Sequence, residues 1–190
     1  ILQKKPNIIT FSIPFPGNLY AAFKCGQFIK KKHSHIKIAF GGGYPNTELR
    51  SLSDERVFEF TDFIMLDDGE RPFVNLLNHL KEKNDKSTLT RTFSLNKKGE
   101  VEYFNNKEKD YSFKDIGTPD YRDLPLKKYL SVIDVINPMH RLWSDGRWNK
   151  LTLAHGCYWG KCTFCDISLD YISVYEPISA KLICDRIEQI

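Results

Sequence analysis

Apolar residues follow two rhythms along this chain. Short continuous runs alternate with stretches that repeat at helical spacing. Residues 8–13, Ile-Ile-Thr-Phe-Ser-Ile, form a β-branched apolar run of the kind that becomes a buried strand. Pro14 and the pair Pro16 and Gly17 end it, and Asn18 is placed to cap a helix reaching about Lys32. Leu19, Ala22, Phe23 and Ile29 would share that helix's buried face. A second strand is predicted over 36–40, closed by Gly41, Gly42 and Gly43, and a third over 63–66. Pro72 suits the first turn of a further helix, in which Phe73, Leu76, Leu77 and Leu80 recur at i, i+3, i+4 and i+7. Residues 55–60 are expected to supply the helix that a parallel crossover needs.

The rhythm then changes. Residues 90–95 and 100–104 alternate, with a turn signal over 96–99 between them, and so predict a β-hairpin. Residues 118–125 are rich in turn formers and read as linker, with a short helix expected over 126–135. A strand over 150–154 leads into a cysteine-rich loop. Pro177 is expected to open a last helix with Ile178, Leu182, Ile183 and Ile187 on its apolar side.

The order strand, helix, strand, strand, helix with short connections predicts an α/β fold. Its first part is a partial doubly wound, Rossmann- or flavodoxin-like parallel sheet. The expected organisation is a partial α/β domain over 1–83, a linker with a β-hairpin over 84–147, and a strand–loop–helix unit over 148–190. The chain begins with Ile1 and closes inside a predicted helix, and is expected to be a piece of a longer product.

Composition narrows the function classes. Net charge is +4, and the densest basic run is Lys30, Lys31 and Lys32. With no wider basic stripe, that run reads as a solvated helix end rather than a nucleic-acid surface. No apolar stretch is long enough to span a membrane. Five cysteines, an odd number and unevenly spaced, fit a reducing cytoplasmic location better than a secreted disulfide scaffold. Cys25 and Cys184 fall on predicted helices and are expected to be packing residues.

Three cysteines, Cys157, Cys162 and Cys165, lie within nine residues. Thiolates so close together suit a metal or an iron–sulfur cluster. Zinc is one reading, with His155 as a fourth ligand, in a non-enzymatic α/β binding module. A dithiol oxidoreductase using Cys162 and Cys165 is another, though it leaves Cys157 unexplained. A cluster held by three cysteines is the third. It leaves one iron open to a cofactor.

The segment from Ala154 to Asp166, Ala-His-Gly-Cys-Tyr-Trp-Gly-Lys-Cys-Thr-Phe-Cys-Asp, resembles the cluster loop of radical S-adenosylmethionine enzymes. It departs from the usual pattern in having four residues, not three, between the first two cysteines. The resemblance implies that Cys157, Cys162 and Cys165 bind a 4Fe–4S cluster and that Phe164 packs near the adenine of S-adenosylmethionine. The reduced cluster would cleave that cofactor to a 5′-deoxyadenosyl radical. Residues 148–190 would then be the first β/α unit of the radical barrel. The upstream glycine-bearing loops resemble the cobalamin-binding domain of one subgroup of this family. Ser12 would follow one strand, Gly41 and Gly42 the next, and Gly69 and Glu70 would form the turn before a helix. That resemblance implies a cobalamin site, with methyl transfer as one outcome. The Asp-x-His-x-x-Gly cobalt-ligand motif of many such domains is absent. Asp67, Asp68 and Glu70 could equally serve only to cap the helix. The implied partners are a small-molecule or peptide substrate and an electron donor such as flavodoxin or ferredoxin. The fragment alone is expected to be inactive.

Overall fold

A computed structural model describes residues 2–122, 124, 125, 128 and 151–190. The short helix expected over 126–135 lies outside these, apart from Lys128. The chain divides into two compact units, residues 1–111 and 112–190.

In the first unit five strands form one sheet, in the order β1 (Ile8–Ser12), β2 (Lys37–Gly41), β3 (Phe63–Met65), β4 (Thr92–Leu95) and β5 (Val101–Phe104). β1, β2 and β3 are parallel, with Ile8 opposite Lys37 and Ala39 opposite Phe63. β4 runs antiparallel to both β3 and β5. The sheet is therefore mixed, not parallel. The hairpin assigned to the linker is its antiparallel edge, because Phe93 pairs with Ile64 and continues the buried surface of β3. Strand order follows chain order without a reversal.

Alternation along the strands divides the core between two faces. Ile38, Phe40, Ile64 and Phe93 pack on one side with Ala22 and Ile29 of α1 (Pro16–Lys32) and with Phe58. Ala39, Phe63 and Met65 pack on the other with Leu76 of α3 (Glu70–Glu82). Helices thus cover both faces, and β2 carries the near-continuous apolar run such a sheet requires. Ile38, Ala39 and Phe40 are all fully buried.

Local signals account for most boundaries. α1 starts at Pro16 with Phe15 in the cap position, not at Asn18, since proline's fixed φ suits the first helical residue. Lys30 in its last turn pairs with Asp62 at 2.6 Å. The crossover helix expected over 55–60 is a 3-10 turn, Glu55–Glu59, capped by Asp54. A short helix, α2 (Gly43–Glu48), follows β2 directly. α1 approaches the end of the 3-10 segment so closely that a Cβ on Gly26 would lie 2.2 Å from the Phe60 carbonyl oxygen.

The second unit is smaller. β6 (Ala154–His155) pairs antiparallel with β7 (Glu176–Pro177). Among the described residues it also holds a 3-10 turn (Phe113–Asp115), a single helical turn, α4 (Asp170–Ser173), and a helix, α5 (Ala180–Gln189). Pro177 is a strand residue, and α5 starts three residues later, where the Ser179 hydroxyl accepts from the Leu182 amide. The apolar pattern misplaced one face of α5. Ile187 is 60% exposed, whereas Arg186 is 4% exposed. Cys25 and Cys184, expected inside, are both exposed.

Candidate functional site

In the first unit, parallel pairing places the loops after β1, β2 and β3 at one edge of the sheet. Ser12 and Gly41 are register partners. The Ile13 amide donates to the Gly41 carbonyl at 2.7 Å, and the Tyr44 amide donates to the Ile13 carbonyl at 2.9 Å. Gly42 has φ +102, and a Cβ there would lie 2.8 Å from the Ile13 nitrogen and 3.0 Å from Ser12 Oγ. Its glycine is therefore required by the turn itself. Gly41 and Gly69 differ. A Cβ on Gly41 would meet only ordinary contacts, the nearest at 3.7 Å, and one on Gly69 would meet nothing within 4 Å. Neither glycine is demanded by packing, but only the position beside Gly69 faces open space, since Met65 lines the one beside Gly41.

Glu70 is exposed in the first turn of α3, where its charge complements the helix dipole, and Gly69 occupies the cap position. Asp67 does not cap the helix. Its amide donates to Asn46 Oδ1 at 2.7 Å, and its carboxylate is held by Arg50 and by Arg91. Arg91 also pairs with Asp110 and donates to the Asp68 carbonyl at 3.2 Å. Asn46, Arg50 and Arg91 thus fix the loop after β3, which carries Asp67 at φ +63. They come from distant positions, and no spacing in the sequence marks them.

The cysteine loop belongs to the second unit. It leaves β6 through Gly156, at φ +69. The Cys157 amide donates to the Ile172 carbonyl at 2.8 Å, which hangs the loop on α4. Backbone N–H groups of Gly160 and Trp159 point at the Cys157 sulfur and hold its thiol below the usual range. A turn joins Cys162 to Cys165, with the Cys165 amide 3.2 Å from the Cys162 carbonyl. The Cys165 thiol is pushed up, first by desolvation and then by its neighbours Cys162 and Cys157. All three cysteines are half-buried and none is in a disulfide.

Three free thiols on one loop, one of them receiving two N–H donors, are a donor set suited to an iron–sulfur cluster. Among the described residues no group of three or more Cys, His, Asp or Glu side chains is arranged to hold a metal ion. Phe164 is 86% exposed and Tyr158 79% exposed, so the loop presents aromatic surface to solvent. Lys161 Nζ lies 5.5 Å from the Trp159 ring. Gly156 is the residue the motif did not single out. A glycine immediately before the first cysteine was the available signal.

Among the described residues no helix is long and apolar enough to cross a membrane. No family model matches the sequence, and no curated protein matches it. Solved structures do. The cobalamin-dependent S-adenosylmethionine radical enzyme OxsB with aqua-cobalamin and S-adenosylmethionine bound superposes with a TM-score of 0.71 at 20% identity, covering 100% of this chain and 24% of that one. OxsB with aqua-cobalamin alone gives 0.69 at 20% identity, covering 98% and 23%. Its apo form gives 0.66 at 21% identity, again covering 98% and 23%. The chain thus spans about a quarter of the length of these neighbours. Along its length it has the α/β fold of one segment of a cobalamin-dependent S-adenosylmethionine radical enzyme.

Proposed function

We propose that this chain is part of a cobalamin-dependent radical S-adenosylmethionine enzyme. Its second unit would carry the start of the radical barrel. The observation that carries this is the coincidence of a fold match over 100% of the chain with three free cysteines on one loop, of which Cys165 is raised by desolvation and by the other two. Cys157, Cys162 and Cys165 would hold the 4Fe–4S cluster, and Phe164 would lie beside the adenine. A cluster bound there would supply the electron that cleaves S-adenosylmethionine. Ser12, Gly41, Gly42, Gly69 and Glu70 would border the cobalamin. The open space beside Gly69, and the absence of a packing demand for glycine at Gly41, support that placement.

The residues themselves have simpler tasks. The N–H groups of Trp159 and Gly160 favour the thiolate form of Cys157. The Cys157–Ile172 bond fixes where the loop begins. The substrate would be a small molecule or peptide, and the reductant an electron-donor protein of flavodoxin or ferredoxin type.

Anaerobic reconstitution with iron and sulfide tests the reading. Iron and sulfide approaching about four per chain, with a broad brown absorption lost in a Cys157→Ser/Cys162→Ser/Cys165→Ser variant, is the expected result. Stoichiometric zinc with no iron uptake would overturn it in favour of a zinc-stabilised binding module. Disulfide reduction abolished by Cys162→Ser but not by Cys157→Ser would favour the dithiol oxidoreductase.

A further inference from the structure

In the second unit a charged clamp closes on the backbone of a single residue. Phe113 is 8% exposed, and its amide donates to Glu176 Oε2 at 2.7 Å. Its carbonyl accepts from Arg186 Nη2 at 3.1 Å, and the same nitrogen donates to the Ile116 carbonyl. The Arg186 guanidinium also lies over the Phe113 ring, 5.2 Å from its centre. Burying an arginine is unfavourable unless its donors are satisfied, and here backbone carbonyls and a ring face meet them.

This clamp leads towards the cysteine loop. Glu176 is the register partner of His155 in the β6–β7 pair. The His155 ring packs on Phe113, with centroids 5.9 Å apart. Gly156 and Cys157 follow His155 directly. Segment 113–116, strand β7 and helix α5 therefore converge on the last ordered strand position before the first cysteine.

We propose that Arg186 and Glu176 are positioning residues for the cysteine loop. They bracket the backbone N–H and C=O of Phe113, and the Phe113–His155 ring contact then sets the direction in which β6 delivers Cys157. Interpreted as cluster positioning, this rests on the cluster reading above; as loop positioning it stands independently. Thr118 supplies the contrast. It joins the same segment to the same helix through a 2.7 Å bond to Gln189 Oε1, but that bond is exposed and touches neither His155 nor β7.

The test uses the full chain with Arg186→Gln, Arg186→Lys, Glu176→Ala and Thr118→Ala. The first readout needs no metal: amide exchange of Cys157, compared with Leu66 in the first unit. Arg186→Gln and Glu176→Ala are expected to speed Cys157 exchange about tenfold or more while Leu66 keeps its rate. Arg186→Lys should restore part of the protection, and Thr118→Ala should change nothing. The second readout is iron retention against a chelator after reconstitution, expected to weaken about tenfold in Arg186→Gln.

Unchanged Cys157 exchange in both clamp variants would overturn the proposal, whatever the iron content. Equal acceleration in Thr118→Ala would overturn it too, since any loosening of the segment would then suffice. Faster exchange in a chain that takes up no iron would uphold the positioning and refute the cluster reading.

Discussion

Gly156 lies so close to Val174 that a Cβ on the glycine would sit 2.0 Å from the valine carbonyl oxygen. Its φ of +69 adds a second reason for glycine at that position. The neighbouring Cys157 amide is bonded to Ile172, in the helical turn just before Val174. Gly156→Ala is expected to separate the strand from α4 and free the start of the cysteine loop. The positive φ alone costs a side-chain-bearing residue about 1–2 kcal/mol, before the steric overlap is added. Iron retention and Cys157 amide exchange should both suffer, while urea unfolding of the first unit should be unchanged.

Gly26 makes a comparable close approach inside the first unit. Alanine in a helix interior is worth about 1 kcal/mol over glycine. Here the added methyl would press on the Phe60 backbone at 2.2 Å, and backbone cannot rotate aside. The overlap should win. Gly26→Ala is expected to destabilise the first unit by about 1–3 kcal/mol. A higher urea midpoint for the variant would contradict this.

Gly41→Ala is expected to behave in the opposite way. It adds a methyl where the nearest atom is 3.7 Å away, so the fold should tolerate it or gain slightly. If cobalamin lies across this edge of the sheet, the same methyl intrudes on it. Aqua-cobalamin titration followed by absorption should then show weaker binding by about tenfold, with thermal stability preserved. Unaltered binding would remove Gly41 from the site.

The thiols of the metal-free chain should separate by pH. N–H donors lower the Cys157 thiol, while desolvation and its two neighbours raise Cys165. The thiolate is the reactive form, so the group with the lower pKa reacts at the lower pH. Mass-spectrometric mapping of iodoacetamide labelling, stepped upward in pH, should find Cys157 modified before Cys165. The reverse order would mean that the loop's N–H donors do not face that sulfur in solution.

Much of the fold could be read along the chain. The apolar runs at 8–13, 36–40 and 63–66 became β1, β2 and β3 within a residue or two; β2 and β3 are buried as expected, whereas β1 is half-exposed at the sheet edge and only Ile13 just beyond it is buried. The repeat of Phe73, Leu76, Leu77 and Leu80 became α3, where Leu76 is buried, Phe73 and Leu80 pack beside it and Leu77 is exposed. The alternation over 90–104 fixed the hairpin. It could not say what the hairpin pairs with, because hydrogen bonding between β3 and β4 is a long-range choice. In α5 the pattern favoured Ile187 over Arg186, since periodicity weighs side-chain polarity and ignores the carbonyls that can satisfy a guanidinium.

For the candidate site, the sequence by itself determined the local chemistry: three cysteines within one loop, and glycines at strand ends. Both are properties of neighbouring residues, which stay together in any fold. Tertiary structure alone decided which of those residues the fold can spare. It showed that Gly42 and Gly156 are demanded by close backbone approach while Gly41 and Gly69 are not. It also brought Asn46, Arg50 and Arg91 to Asp67, and Phe113, Glu176 and Arg186 to His155. Such groupings join residues up to 73 positions apart. They arise because buried polar groups must find partners wherever the packed chain supplies them, and no local pattern encodes that search.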